Sequence, residues 1–223
     1  MIQKTITMID YGGSNLRSAQ KAFEYVGAVV DVTADPDTVR RAEKLVLPGV
    51  GAFGAGMAAI RRRGLEPAIQ AAAQQGTPLL GICLGMQYLF DSSEEMGHHT
   101  GLGLIAGRVR RFDFDGGPKT EDGEVSLRPP SSVLRLKIPH MGWNQIEATR
   151  ASRLLAGIAA GSYAYFVHSY YCDPAAETAV LAHTDYGHPF AAIVAQDNIY
   201  GIQFHPEKSQ AVGLRILQNY LTL

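Results

Sequence analysis

The segment LLGICLGMQYLF, from Leu79 to Phe90, contains a cysteine between two glycines. An apolar stretch precedes the GICLG sequence around Cys83, and a helical pattern follows it. Small residues two positions before and after a nucleophile let a strand turn sharply into a helix, so that the nucleophile projects from the corner. The N-terminus of a helix also favours the thiolate, the form that attacks carbonyl carbon. The pattern predicts a nucleophilic thiol at Cys83, with a buried, unreactive cysteine as the alternative.

A candidate base and its partner occur in the segment FHPEK, which begins at Phe204. The segment follows an apolar run that predicts a strand. Side chains two positions apart in an extended backbone share a face, so Glu207 could accept a hydrogen bond from the imidazole of His205. The carboxylate would fix the tautomer of the ring and support the imidazolium formed during a reaction. Taken together, Cys83, His205 and Glu207 are the predicted catalytic residues, although the histidine segment alone would more often be a solvated surface pair.

A glycine-rich segment, PGVGAFGAGM from Pro48 to Met57, follows another apolar strand. Its spacing matches that of a dinucleotide-binding loop, Gly-x-Gly-x-x-Gly. In that motif an acidic residue ends the next strand about 20 positions later. The next strand here leads instead into Cys83. We therefore expect backbone N–H groups of this segment, together with the amide of Leu84, to face an oxyanion.

The composition narrows the class of protein. The 223 residues include 20 Lys and Arg against 21 Asp and Glu, a balance that argues against a nucleic-acid partner. Hydrophobic residues make up 46% and charged residues 18%, as in soluble globular proteins. No apolar run approaches the roughly 20 residues of a membrane span, and no signal peptide is evident. We expect a cytoplasmic protein of one domain, 1–223, whose two cysteines, Cys83 and Cys172, are reduced.

Apolar strands alternate with helical patterns in the first half, which predicts a parallel sheet covered by helices on both faces. In the second half, runs separated by Gly, Pro and Asp predict further strands, many of them antiparallel. The segment Asp115 to Ser132 is acidic and contains a Pro-Pro pair, so we expect an exposed, flexible loop there. The predicted elements are strands Thr5 to Asp10, Ala28 to Thr33, Lys44 to Leu47, Pro78 to Ile82, Arg108 to Phe114, Val133 to Ile138, Tyr163 to His168, Ala179 to Thr184, Ala191 to Gln196 and Tyr200 to Phe204, and helices Ser14 to Val26, Leu65 to Gln75 and Ser209 to Tyr220.

The glycine-rich segment, the GICLGMQ elbow and the HPEKS segment resemble, in content and order, the class I or triad-type glutamine amidotransferases. More narrowly, the sequence is similar to the glutaminase subunits of imidazole glycerol phosphate synthases over nearly its whole length. The segments that carry this closer resemblance are Asp10-Tyr11-Gly12 with Asn15-Leu16, PGVGAFGAGM, PHMGWN from Pro139 to Asn144, and FVHSY from Phe166 to Tyr170. The loop at 115–132 is longer than that family's pattern.

The resemblance implies a flavodoxin-like α/β fold with additional antiparallel strands, and hydrolysis of glutamine to glutamate and ammonia through a thioester on Cys83. It also implies a heterodimer with a (βα)8-barrel cyclase that receives the ammonia in histidine biosynthesis, without a metal or cofactor. By the same resemblance, Val50, Gly51 and Leu84 form the oxyanion hole, Gln87, Ser169 and Tyr170 bind substrate, and Asn15, Met141, Trp143, Tyr165 and Lys208 contact the cyclase.

Several of these residues have simpler interpretations. Trp143 and Tyr165 could be core residues, and Lys208 a solvated charge. The histidines of the PHMGWN and FVHSY segments, His140 and His168, are expected to support the site structurally rather than to act in catalysis. A polar group, Glu94, Glu95, His98 and His99, is expected in solvent rather than at a metal ion, because adjacent histidines point in different directions.

Other functional classes also fit parts of the sequence. One is a stand-alone cysteine hydrolase or peptidase on a related fold, and another is the glutaminase subunit of a different synthase. A third is a catalytically silent binding subunit, which the intact set of Cys83, His205 and Glu207 disfavours. Glutaminase assays with and without a barrel protein would separate the peptidase from the synthase subunit.

Overall fold

A nine-stranded mixed sheet organises the protein in the computed structural model, which describes residues 4–13, 16–114 and 136–223. The strands are β1 (Lys4–Ile9), β2 (Ala28–Thr33), β3 (Leu45–Gly49), β4 (Leu79–Cys83), β5 (Phe90–Ser93), β6 (His99–Thr100), β7 (Ile105–Arg111), β8 (His140–Ala148), β9 (Ser162–His168), β10 (Tyr170–Pro174), β11 (Val180–Asp185), β12 (Pro189–Gln196) and β13 (Ile199–Ile202). The helices are α1 (Leu16–Tyr25), α2 (Pro36–Arg40), α3 (Phe53–Arg62), α4 (Leu65–Gln74), α5 (Leu84–Tyr88) and α6 (Gln210–Leu221), with 3₁₀ turns at Arg153–Leu155, Glu177–Ala179 and Pro206–Lys208.

The large sheet has a parallel half and an antiparallel half. Its strand order is β2-β1-β3-β4-β13-β12-β11-β8-β9. The first five strands are parallel and follow the flavodoxin-like order 2-1-3-4-5, with β13 in the fifth position. The strands from β12 to β9 are antiparallel and come from the second half of the chain. This arrangement confirms the predicted fold class. A second sheet has the order β10-β7-β5-β6.

The register of the parallel half brings three strand ends together. Gly49 at the end of β3 pairs with Cys83 at the end of β4, and Ile82 pairs with Ile202 at the end of β13. Segments that follow these strands therefore meet at one edge of the sheet, where α/β proteins bind ligands. The glycine-rich segment, the cysteine elbow and the histidine segment are the ones that meet.

Two helices, α1 and α6, pack against each other on one face of the parallel half. In α1 the apolar stripe predicted from the sequence is buried, with Ala19 and Phe23 in the core. The last helix, α6, buries Ile216 and Tyr220, and the Tyr220 hydroxyl donates to the carbonyl oxygens of Leu45 (2.6 Å) and Pro78 (2.9 Å). Each large apolar side chain buried in this way contributes about 1.5–3 kcal/mol. The last helix therefore stabilises the strands that lead to the site.

The structure differs from the predicted elements in several places. Residues 136–138, predicted as part of a strand, precede β8; Pro139 has no N–H to donate to a ladder, so the strand begins after it. The strand expected at Arg108 already starts at Ile105. Helix α3 occupies part of the segment that was expected to be only a turn. Elements β5, β6, β8, β10 and α2 were not predicted at all.

Two predictions concern residues outside the described ranges. They are the exposed loop at 115–132 and the partner contact of Asn15. Within residues 4–13, 16–114 and 136–223, no helix is both long enough and apolar enough to cross a bilayer.

Candidate active site

Cys83 lies at the corner between β4 and α5 in a conformation that non-glycine residues rarely adopt. Its φ is 55° and its ψ is −113°. Backbone of this kind costs about 1–3 kcal/mol and is found mostly where a functional side chain must be presented. The sharp corner expected from the sequence is therefore present. The second cysteine, Cys172, is a buried residue of β10 and does not line the cavity described below.

The glycines on either side of Cys83 are required by close packing. A Cβ on Gly85 would lie 1.8 Å from the carbonyl oxygen of Leu47 in β3, and one on Gly81 would lie 2.5 Å from the carbonyl oxygen of Gly85. Real Cβ atoms do not come this close to backbone atoms, so larger residues would push α5 away from the sheet. The Gly-x-Cys-x-Gly pattern thus reflects direct contact between α5 and the two strands below it.

His205 follows β13 and pairs with Glu207. Its Nδ1 lies 2.8 Å from Glu207 Oε1, and the two side chains are only 8% and 11% exposed. The extended backbone assumed from the sequence is wrong, because Pro206–Lys208 forms a 3₁₀ turn. The turn still brings the carboxylate under the ring. Because the carboxylate accepts a hydrogen from Nδ1, the other ring nitrogen is left for Cys83.

The surroundings of His205 favour its charged form. Burial alone would lower its pKa, but hydrogen bonds and charge interactions with Cys83 and Glu207 outweigh burial and raise the pKa to about 10. These partners therefore favour the imidazolium form of the ring. An imidazolium beside a thiol favours the thiolate and can later donate its proton to a leaving group.

A cavity of about 370 Å³ opens above Cys83. It contains every oxyanion and substrate residue expected from the sequence, together with four residues that were not expected there. Its lining residues are Val50, Gly51, Cys83, Leu84, Gln87, Glu95, Pro139, Val167, His168, Ser169, Tyr170 and His205.

A buried pair of glutamines, of which Gln87 lines the cavity, lies next to Cys83. Gln87 Nε2 donates to the carbonyl oxygen of Tyr170 (3.1 Å) and to Gln203 Oε1 (3.2 Å). Gln203 Nε2 in turn lies 4.0 Å from Cys83 Sγ. Gln203 was missed by the sequence interpretation; the available signal was a polar residue inside the apolar run that precedes His205.

The glycine-rich segment is held from two sides. Gly51 has a φ of +97° and open space around its Cα, so this backbone favours glycine. Glu95 Oε2 accepts a hydrogen bond from the amide of Phe53 (2.5 Å), at the start of α3. On the other side, the backbone of Val50 hydrogen-bonds the hydroxyl of Tyr11, a side chain whose pKa is raised by burial.

The four residues that were expected in solvent, Glu94, Glu95, His98 and His99, differ in their exposure. Glu95 is half-buried and lines the cavity, so the expectation is wrong for this residue. Glu94 and His98 are exposed, and Glu94 Oε1 accepts from the amide of Arg111 (2.7 Å). Among the described residues, no group of three or more His, Cys, Asp or Glu side chains could hold a metal ion.

A surface patch of Met141, Trp143, Tyr165 and Lys208 adjoins the site. Met141 is 63% exposed and Trp143 46%, which excludes a core role for Trp143. Trp143 meets Tyr165 edge to face at 6.0 Å, and Lys208 Nζ lies 5.6 Å from the centre of the Tyr165 ring. This patch is called the aromatic patch below.

Backbone hydrogen bonds connect the aromatic patch to the candidate base. The amide of His205 donates to the carbonyl oxygen of Tyr165 (2.9 Å). The buried hydroxyl of Ser209 donates to the carbonyl oxygen of His205 (2.7 Å) and accepts from the amide of Tyr165 (3.0 Å). The inner side of the patch and the backbone of His205 are thus one hydrogen-bonded unit.

Comparison with known proteins agrees with this geometry. The family model for class-I glutamine amidotransferases matches residues 7–222. The imidazole glycerol phosphate synthase subunit HisH of Salinibacter ruber is 51% identical over 220 residues, covering 97% of this chain and 94% of the relative. The subunit of the same name from Syntrophotalea carbinolica is also 51% identical, covering 96% of this chain and 98% of the relative.

Solved structures show the same fold at low sequence identity. The structure of PurLQS from Thermotoga maritima matches with a TM-score of 0.72 and 18% identity, over 99% of both chains. A crystal structure of glutamine amidotransferase matches with a TM-score of 0.69 and 17% identity, over 97% of this chain and 99% of that chain. By family model, sequence identity and fold, the chain belongs to the class-I glutamine amidotransferases and, within them, to the HisH subunits of imidazole glycerol phosphate synthase.

Proposed function

We propose that this chain hydrolyses glutamine at Cys83, with His205 as the acid and base and Glu207 as the residue that orients it. The observation that carries the proposal is the buried His205–Glu207 pair beside a strained cysteine on the wall of one cavity. The three side chains come from two segments that the sheet brings together, and each has the chemistry that its role requires.

The reaction has two halves. The Cys83 thiolate attacks the carboxamide carbon of glutamine, and the resulting tetrahedral oxyanion is stabilised by backbone amides at Val50, Gly51 and Leu84. The His205 imidazolium protonates the nitrogen, the C–N bond breaks, and ammonia leaves a thioester on sulfur. Neutral His205 then takes a proton from water, whose oxygen attacks the thioester carbon. The C–S bond breaks, which releases glutamate and restores the thiolate and the imidazolium.

The amino-acid part of glutamine is proposed to lie against Gln87, Ser169 and Tyr170. All three residues line the cavity that also contains Cys83 and His205. Gln87 is held by the bonds to Tyr170 and Gln203, so its side chain is preorganised for a ligand.

Labelling with a diazoketone analogue of glutamine tests the nucleophile. The reagent should alkylate Cys83 and abolish glutamine hydrolysis, and Cys83→Ala should be inactive and unlabelled. Cys172 is the internal control, because it is only 1% exposed and should stay unmodified in the folded chain. An adduct on Cys172 with retained activity in Cys83→Ala would falsify the assignment.

We further propose that a (βα)8-barrel cyclase docks on the aromatic patch, also contacts Asn15, and receives the ammonia in the cytoplasm. Two large apolar side chains of this patch, Met141 and Trp143, are exposed next to the cavity. Exposed apolar patches of this kind mark interaction sites. The hydrogen bonds from Tyr165 to His205 give a docked partner a direct route to the base.

Glutamine hydrolysis should depend on this partner. The loop at Gly51 can hold oxyanion donors out of line until docking selects the productive arrangement, and a missing donor costs on the order of 100-fold to 1,000-fold in rate. Turnover should be measured for the chain alone, with the cyclase, and with the cyclase and its nucleotide substrate. Rising kcat across the three conditions is expected. Equal turnover in all three would favour a stand-alone hydrolase.

A further inference from the structure

A buried row of hydrogen bonds runs from β8 through two histidines to the substrate cavity. Asn144 Nδ2 lies 3.2 Å from His140 Nε2, and His140 Nδ1 lies 3.0 Å from His168 Nε2. His168 Nδ1 lies 2.8 Å from the carbonyl oxygen of Tyr170. None of these three side chains has a part in the reaction derived above.

The two ends of the row fix the direction of every hydrogen bond in it. A carbonyl oxygen only accepts, so His168 Nδ1 carries the hydrogen that is donated to Tyr170. The amide of Asn144 is oriented by two other bonds, since its Nδ2 donates to the carbonyl oxygen of Asp185 (2.9 Å) and its Oδ1 accepts from the amide of Gln145 (2.8 Å). Its Nδ2 therefore also donates to His140 Nε2, which must be unprotonated.

The hydrogen bond between His140 and His168 can then have only one direction. With Nε2 unprotonated, neutral His140 carries its hydrogen on Nδ1 and donates it to His168 Nε2. Both rings are neutral and both are the Nδ1–H tautomer. Two constraints from opposite ends of the row thus agree on the same direction.

The surroundings suit neutral rings. His140 is 3% exposed and His168 7%. The His140 ring is stacked between Tyr186 and Phe166, with ring centres 4.0 and 4.8 Å away. Burial lowers the pKa of His140 to about 4, and burial with a smaller effect of neighbouring His140 and His205 lowers that of His168 to about 3.

We propose that Asn144, His140 and His168 form a one-directional relay that positions the Tyr170 carbonyl, and with it the Ser169–Tyr170 side of the glutamine site. The part of this inference that concerns glutamine rests on the proposed function. Tyr170 O accepts from His168 and from Gln87, so it joins the relay to the buried glutamine pair. His168 is a positioning residue, because it acts on the substrate side through this carbonyl.

The tautomers can be observed directly. Long-range proton–nitrogen spectra of histidine-labelled protein at pH 7 should show that, among the seven rings, those of His140 and His168 carry hydrogen on Nδ1 only. The signals are assigned by their loss in His140→Asn and His168→Asn. If either ring is an imidazolium or the Nε2–H tautomer, the relay is overturned. This measurement needs no enzymatic activity, so it judges the relay even if glutamine is not the substrate.

A pair of variants of equal size tests the positioning role. His168→Asn keeps a donor near the position of Nδ1, whereas His168→Leu has the same shape and no donor; both lose the contact with His140. In the complex with the cyclase, His168→Leu should raise KM for glutamine about tenfold with kcat nearly unchanged, as expected for one lost hydrogen bond in substrate positioning.

His168→Asn should stay within about threefold of the wild-type KM, since its donor can still reach Tyr170. Melting curves confirm that both variants fold. Equal KM values for the Leu and Asn variants, or a loss confined to kcat in both, would overturn the positioning role.

Discussion

His205 and Glu207 form one buried pair, but they stand at different distances from the reacting atoms. His205 faces Cys83 and exchanges protons with the substrate in the proposed reaction, whereas Glu207 touches only the far side of the ring. A residue that transfers the proton should therefore matter more than one that holds it in place.

The first prediction ranks these two residues. His205→Ala should lower kcat by a factor of roughly 10⁴. For Glu207→Gln the factor should be roughly 10 to 100 times smaller, because the amide oxygen of glutamine can still accept a hydrogen bond from Nδ1. Both should be assayed with saturating cyclase. Small and equal losses in the two variants would remove His205 from the mechanism.

The buried histidines His140 and His168 should make stability depend on pH. Both have a pKa lowered by burial, to about 4 and about 3, against an ordinary value of 6.5. The unfolded chain therefore binds more protons than the folded chain at every pH between these values and 6.5, so stability is lost as pH falls below 6.5.

The second prediction follows from this loss of stability at lower pH. The free energy of unfolding should fall between pH 6 and pH 5 by at most about 1.4 kcal/mol per pH unit for each of the two rings. Urea unfolding across this range measures how steeply the free energy of unfolding depends on pH. His168→Asn should reduce this slope by about the contribution of one histidine ring. A midpoint that does not move in the wild type would show that the rings are charged when folded.

Packing between elements sets the position of Cys83, the proposed nucleophile. Helix α5 is only five residues long, and it is pressed against β3 and β4 where Gly85 meets the carbonyl oxygen of Leu47. A short helix has little internal stability, so its place depends on this contact. Stability and catalysis should respond together when the contact is lost.

The third prediction concerns Gly85→Ala. The added methyl should cost about 1–3 kcal/mol or more in stability, and it should lower kcat because α5 and the thiol shift together. Gly27→Ala is the control, since Gly27 has a φ of +93° with open space around it and lies far from the cavity. The control should cost about 1 kcal/mol and leave kcat unchanged. A fully active, stable Gly85→Ala protein would contradict the packing argument.

Elements with a regular apolar pattern could be predicted from the sequence, whereas elements without one, including the nine-residue strand β8, could not. The apolar stripe of α1 and the apolar strands of the parallel half gave correct elements, because burial on one face imposes a period. Helix α3 was missed because its first turn contains glycines, which disfavour helix in isolation. Strand β6 has two residues, too few for any period to appear.

At the scale of the whole molecule, the same limits apply to the site. Motifs with a fixed local spacing located the cysteine elbow and the histidine segment. Gln203 could not be placed beside Cys83, and Glu95 could not be assigned to the cavity, because the first requires the pairing of β4 with β13 and the second requires the path of the chain after β5. Neither relation is local in sequence.

The fourth prediction addresses the aromatic patch. Trp143→Ala should weaken binding of the barrel cyclase by about 30-fold, a typical effect for a central interface tryptophan. Stability should change by less than about 0.5 kcal/mol, because nearly half of the side chain is exposed. Titration calorimetry gives the dissociation constant. Tyr25→Ala is the control, since Tyr25 is 79% exposed at the end of α1 and should not affect binding. Equal effects of both variants would place the partner elsewhere.

The pairing of β4 with β13 also bears on the synthesis of the chain. Cys83 and the residues that complete its site are separated by about 120 positions, and they meet only when β13 adds to the parallel strands. The thiol therefore leaves the ribosome well before its base does, since translation proceeds at about 5–20 residues per second. If the proposed mechanism holds, a nascent chain that has the cysteine without the histidine cannot release ammonia until the last fifth of the protein has been made and paired.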